Sequence, residues 1–415
     1  MKIEIFMEDY FLGGVDTFVI NLINNWPNPS DELILICNRK HSGLTLIREA
    51  ITRPFTLVKH DMKIFTGFFE HPWEGRLINR IADLVLKVSS PVLRYVFFIY
   101  NIFNLRKILL EHNPDRLLVV NNGYPAGDSC RAATIAWGIF SKKPYSIHNF
   151  HGIVLKPGWH IALQEYFVDK FVSKFSSGFV SVSAACANSM SCRKEIYLRH
   201  QIKYIYNGID FVQSSGAMND LNIRSELGIP SESKLCLMLG AYHYNKNFDK
   251  GHYFLFQAFK KVVKEIPSVH LLICGHGSSE NIERIRRLAS GFNLNGNIHL
   301  SGFRNDISPL LKNTDILLIA SQVFESFGLV AVEAMACAVP VVATKVGAIP
   351  EVVINNEGGY CVAKDDVNNY ADYIIKLLTD DGLRIEQGKK GLQRYNRFFT
   401  GERMAKEYAK LIYHG

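Results

Sequence analysis

Short runs of aliphatic and β-branched residues, each followed by a helical pattern, recur along the whole chain. In the first half they fall at 3–7, 33–37, 55–60, 116–120, 144–150, 179–183 and 203–209. In the second half they fall at 234–240, 270–275, 298–303, 315–321 and 340–345. Alternation of this kind predicts parallel sheets covered by helices on both faces. Runs such as "RLLVV" and "DILLIAS" are apolar without a break, as strands buried on both sides require. At 415 residues the chain is too long for one ordinary core. The first series ends at "YNGID", and the small polar stretch "QSSGAMND" separates it from the second. The expected division is one unit over 1–210, a second over 211–385, and a helical tail over 386–415 packing back toward the first. Two doubly wound α/β units, each binding at the carboxyl ends of its strands, are expected to share a cleft.

Composition narrows the function. The net charge is +8, with most of the surplus in the first 200 residues. No concentrated Lys/Arg stripe with stacking aromatics is present, which argues against nucleic acid. The eight cysteines form no CxxC pair and sit mostly in apolar segments, as small core residues in a reducing compartment. The N-terminus carries acids where a secretory leader would carry basic residues, so none is expected. The longest greasy stretch, 91–107 within the aromatic-rich segment 76–110, is broken by Arg94 and Arg106 and is too short between them to span a bilayer. It reads either as core helices or as a surface facing anionic lipid head groups.

The stretch "VFESFGLVAVEAMACAVPVVAT" places Glu325 and Glu333 eight residues apart in apolar company. The pattern predicts strand, loop, helix and strand, with the helix starting near Gly328 and stopping before Pro340. Amides of Phe327, Gly328 and Leu329 at such a start suit a diphosphate. Glu325 stands just outside the helix, and Glu333 lies over one turn inside, where a carboxylate can accept both hydroxyls of a diol. Other Gly-rich turns follow strands: Gly13-Gly14, Lys250-Gly251, and "ICGHGSS" with Gly275. The third glycine of a dinucleotide fingerprint is missing, so a nicotinamide cofactor is not expected. No Asp-x-Asp occurs, which removes the usual carboxylate pair for a metal–nucleotide complex.

"ESFGLVAVEAMACAVPVVATKVGAIPEVV" resembles the E-x7-E signature of the retaining glycosyltransferases of family 4, which have the GT-B fold. The likeness runs through "GGVDTFVINL", "YSIHNFHG", "YNGID", "KGHYFLFQAF", "LLICGHG" and "LSGFRNDI" in the family's order. It implies transfer of a sugar from a nucleotide-sugar donor, UDP-linked rather than GDP-linked, to a glycan or polyprenyl-diphosphate-linked acceptor. It implies no metal or other cofactor. Glu325 would contact the donor sugar, Glu333 the ribose, Phe327 to Leu329 the diphosphate. Lys250 would balance phosphate charge, Gly14 would approach the donor, and His148 would line the reacting end. Catalytic roles thus fall to Glu325, Lys250 and His148, and donor binding to the helix start, Glu333, Gly14 and Gly275. Ala241 stands where the family commonly has Arg, and Lys246, His243 or Arg304 would supply the missing cation. Ala338 and Ala348 replace frequent glycines, a matter of packing. The expected setting is the cytoplasm, at the inner face of the membrane, in bacterial cell-surface polysaccharide synthesis. A nucleotide-sugar epimerase and a catalytically silent scaffold are the alternatives.

Overall fold

The computed structural model describes residues 1–10, 13–62, 76–143, 145–210, 223–242 and 250–414; of 76–92 and His160 it describes the backbone. The chain forms two compact units: Met1–Tyr206 with Met404–Gly415, and Asn207–Arg403. The sequence reading divided the chain at 210/211 and began the tail at 386; here the first unit ends at 206 and the chain rejoins it at 404.

The first unit holds strands β1 (Lys2–Met7), β2 (Glu32–Asn38), β3 (Thr56–His60), β4 (Arg116–Asn121), β5 (Ser146–Phe150), β6 (Gly178–Ser181) and β7 (Ile202–Tyr204). All pair in parallel in the order β3-β2-β1-β4-β5-β6-β7. Central β5 is buried at every position, whereas edge strands β3 and β7 are partly open. Order reverses between β1 and β4, so their carboxyl ends diverge to either side of a crevice. Met7, Cys37 and Val120 stand in register at that edge.

The second unit holds β8 (Lys234–Leu239), β9 (Val269–Cys274), β10 (Ile298–Gly302), β11 (Ile316–Ile319), β12 (Val341–Thr344) and β13 (Gly359–Val362). Its six strands are also parallel, in the order β10-β9-β8-β11-β12-β13, with the reversal between β8 and β11. Strand β13 was not foreseen: its four residues "GYCV" begin on the second of two glycines and are too short to stand out as a run. Both units are therefore Rossmann-like doubly wound sheets.

The final helix, Gly401–His414, closes the core of the first unit. Met404, Ala405, Tyr408 and Ile412 pack with Ile3, Ile5, Phe18 and Leu22. Tyr408 accepts a hydrogen bond from Asn149 Nδ2 at 2.8 Å, and Arg116 and Tyr145 donate to the carbonyls of Ile412 and Leu411.

Ala338 corrects one expectation. It sits at φ +57°, so glycines at this place answer to backbone conformation and not to packing alone. The left-handed region costs an L-residue about 1 kcal/mol. Ala338→Gly should therefore raise the melting temperature, by a gain of up to about 1 kcal/mol less the larger chain entropy of glycine when unfolded. Thermal melting of the two proteins checks this.

Candidate active site

In the second unit the loops leaving β8, β11 and β12 converge on Glu325. Its Oε1 accepts from Lys250 Nζ at 2.5 Å and from Ser321 Oγ. Its carbonyl accepts the Ala348 N–H at 2.8 Å. Ser321 is itself fixed, its carbonyl accepting Thr344 Oγ1 at 2.6 Å. Side chain and backbone of Glu325 are thus both held before any ligand arrives.

Two glycines make this convergence possible. At Gly251, φ +80°, a Cβ would lie 1.7 Å from the Ala320 carbonyl oxygen. At Gly347, φ +53°, it would lie 2.1 Å from the Glu325 carbonyl oxygen. Any side chain would push Lys250 or Glu325 out of place. Gly251 then caps the helix His252–Glu265.

The predicted helix is present as Leu329–Ala336, capped by Gly328 in the left-handed conformation. In a helix the first N–H groups, here those of Gly328, Leu329 and Val330, have no acceptor within it. Phe327 offers no side chain to a ligand: it is buried and packs edge-on against Phe399. Glu333 is on the same helix, and its carboxylate accepts no hydrogen bond among the described residues. Burial in apolar surroundings pushes its pKa up to about 7.

The remaining candidates differ. Gly275 is a packing position, where a Cβ would lie 1.9 Å from the Gly240 carbonyl oxygen. Arg304 is held by Asp306, at 2.6 and 2.8 Å, and by Glu226, so as a phosphate ligand it would have to give up carboxylates. Lys246 and His243 lie outside the described residues. Gly14 begins the helix Gly14–Asn24 after β1, and is exposed. Its turn is locked by Asp16, which accepts the Gly13 N–H at 2.7 Å and pairs with His41 Nε2 at 2.6 Å. Burial opposes a charge on His41, but Asp16 prevails and raises its pKa.

His148 requires correction. It is 0% exposed, in the middle of β5, ringed by Tyr124 and Phe179 and bonded to Thr134 Oγ1 at 3.1 Å. Burial lowers its pKa to about 3. In "YSIHNFHG" the alternation of a strand turns His148 into the core, while His151 follows the strand end, edge-on to Phe18. The groups the sequence reading missed at this edge are Glu8, Asp9 and Asn122. Glu8 takes hydrogen bonds from Tyr10 and Asn38, and burial raises its pKa to about 6. Asn122 donates to Asp9 at 2.8 Å. Acids directly after a strand were the available signal. In the second unit the missed residue is Ser321, which a single hydroxyl after a strand does not announce.

The family model "Glycosyl transferases group 1" matches residues 219–394. The N-acetyl-alpha-D-glucosaminyl L-malate synthase of Bacillus anthracis is 30% identical over 213 residues, 51% of this chain and about half of that relative, 53%. The capsular polysaccharide biosynthesis glycosyltransferase CapM of Staphylococcus aureus is 27% identical over 341 residues, 78% of this chain and 82% of that one. Among solved structures, Anabaena Alr3699/HepE in complex with UDP-glucose superposes with a TM-score of 0.71 at 18% identity, covering 99% of this chain and 100% of that one. Residues 219–394, within the second unit, carry the match to the group 1 glycosyltransferases, and the chain as a whole has the GT-B fold of the solved structure it superposes on.

A raised carboxyl pKa has a stability consequence. The folded state holds its proton on Glu333 more tightly than the unfolded state does, so stability falls as pH rises from about 4.5 to about 7. Glu333→Gln should remove that part of the decline and raise the melting temperature at pH 8. Melting curves across pH 5 to pH 8 would show it, and parallel curves for the two proteins would contradict it.

Proposed function

We propose that the protein is a retaining glycosyltransferase. It moves a sugar from a nucleotide-sugar, UDP-linked by preference, to a glycan or polyprenyl-diphosphate-linked acceptor in cell-surface polysaccharide synthesis. The observation that carries this reading is Glu325, pinned by Lys250 and Ser321 beside the start of the Gly328-capped helix. The family match over 219–394, the capsular role in CapM's name and the UDP-glucose held by HepE support it.

The difficulty of the reaction is charge. As the bond from the anomeric carbon to the phosphate oxygen breaks, the nucleoside diphosphate gains negative charge. The helix-start amides and Lys250 are donors already oriented for that charge, and no metal is called for. Lys250 has three N–H donors and spends one on Glu325, which leaves two for phosphate. The acceptor oxygen forms its bond to the anomeric carbon on the face from which the diphosphate departs, and its proton passes to a departing phosphate oxygen. Glu325 faces the sugar and steadies positive charge at the anomeric centre. Glu333 accepts the ribose hydroxyls. His148 has no part in the proton transfer, since its ring stays neutral in the core. A lipid-linked acceptor would place the enzyme at the inner face of the cytoplasmic membrane.

Glu325→Gln should cut turnover by orders of magnitude with little change in donor affinity, measured by transfer assay and calorimetry. Proton NMR of the product should show the donor's anomeric configuration; inversion would overturn the retaining assignment. Glu333→Ala should weaken the donor by about 1.5–3 kcal/mol, the worth of a charge-assisted hydrogen bond. The ribose diol prefers the ionised carboxylate, so wild-type affinity for UDP-sugar should rise as pH passes through about 7 and then level off. Glu333→Gln should bind weakly without that rise; a pH-independent wild type would remove Glu333 from the ribose.

A further inference from the structure

The helix Ala162–Phe175 is built inside out. Its buried positions include Glu165 and Asp169, and its exposed positions include Leu163, 71% open, Phe167, 49%, and Phe171, 48%. The acids are inside for a reason. Glu165 lies 2.7 Å from Arg131 and 2.8 Å from Arg193, and Asp169 lies 3.2 Å from Arg193 and accepts from Tyr124 at 2.7 Å. That ion network explains the inner face and leaves the outer one unexplained. Leu163, Phe167 and Phe171 follow one another at four-residue spacing and share one side of the helix, and Trp159, 91% open, lies in the short turn just before it. Water-facing helices carry polar residues there, and apolar patches of this kind mark a binding surface.

A neighbouring helix repeats the pattern. On Arg76–Leu110 the residues Val96, Ile99, Tyr100 and Phe103 are each more than half exposed. Arg94 on that helix lies 3.7 Å from Glu165, which brings the two helices together. The exposed charges along these faces are basic, with exposed Glu111 just past Leu110 the exception. Across 93–110 and 152–175 the exposed charged residues are Arg106, Lys107, Lys156, Lys170 and Lys174, and no acid is exposed.

We propose that this face of the first unit docks on an anionic lipid bilayer. Trp159, Leu163, Phe167 and Phe171 sink into the boundary between head groups and acyl chains, and the lysines meet lipid phosphates. The occupant follows from the mixture: protein interfaces are depleted in lysine, whereas an interfacial helix combines aromatics with lysine. No described helix is long and apolar enough to cross a membrane. The surface serves the lipid-linked acceptor proposed above and rests on that reading for its purpose only.

Flotation of the whole protein with phosphatidylcholine vesicles, with and without phosphatidylglycerol, tests it. Wild type should float with the anionic vesicles at low salt, and less in high salt or without phosphatidylglycerol. The triple variant Trp159→Ser, Leu163→Ser, Phe167→Ser and the double variant Lys170→Glu, Lys174→Glu should each lose about tenfold or more in vesicle affinity. All five positions are exposed, so melting temperature and transfer to a water-soluble acceptor should not change. Quenching of tryptophan emission by brominated lipid should fall in Trp159→Phe. Wild type that stays with the pellet, or variants that float equally well, would overturn the proposal. So would a dimer that the triple variant converts to a monomer, since a second copy would then cover this face. Flotation with no transfer to any acceptor would sink the functional reading and leave this one standing.

Discussion

The parallel ladder governs everything else in each unit. Strands such as β11, β12 and β13 are buried at every position and hold almost no polar side chains. Polar groups collect where the ladder stops, at the carboxyl ends, and most densely where strand order reverses. Beside the β8/β11 reversal stand Lys250, Ser321 and Glu325. At the end of β1 stand Glu8 and Asp9, with Asn122 after β4. These positions are a consequence of topology before they are a consequence of chemistry.

Much of this was legible in the sequence, for a physical reason. A strand buried on both faces must be a continuous apolar run, and a close backbone approach must be glycine. Both leave marks that one chain suffices to show, as "DILLIAS" and Lys250-Gly251 did. The helix start at Gly328 was readable because it joins such a turn to an apolar helix. What stayed hidden depends on facing. His148 and His151 differ by three residues and look equally suited to a site, and strand alternation put the first into the core. The partners of Arg304, Glu226 and Asp306, include one from a distant segment that no local pattern connects. The inside-out helix was hidden in the same way, because an amphipathic pattern does not say which face looks inward.

The Glu325 arrangement also shows how an acid in apolar company can be both paired and placed. Alone, an acid among apolar residues tends to keep its proton, as Glu333 does. Lys250 beside Glu325 supplies the opposite charge, and the Ala348 amide fixes the backbone from which it projects. The two acids of one short segment thus occupy different electrostatic settings, one paired and one solitary.

The last helix bears on how the protein is made. Met404, Tyr408 and Ile412 complete a core begun by Ile3 and Ile5. During synthesis the first 206 residues leave the ribosome long before those side chains exist. The opening sheet must wait with an apolar flank uncovered while the whole second unit is translated. A message cut short would therefore yield an amino-terminal half lacking its lid, a natural substrate for chaperones and proteases.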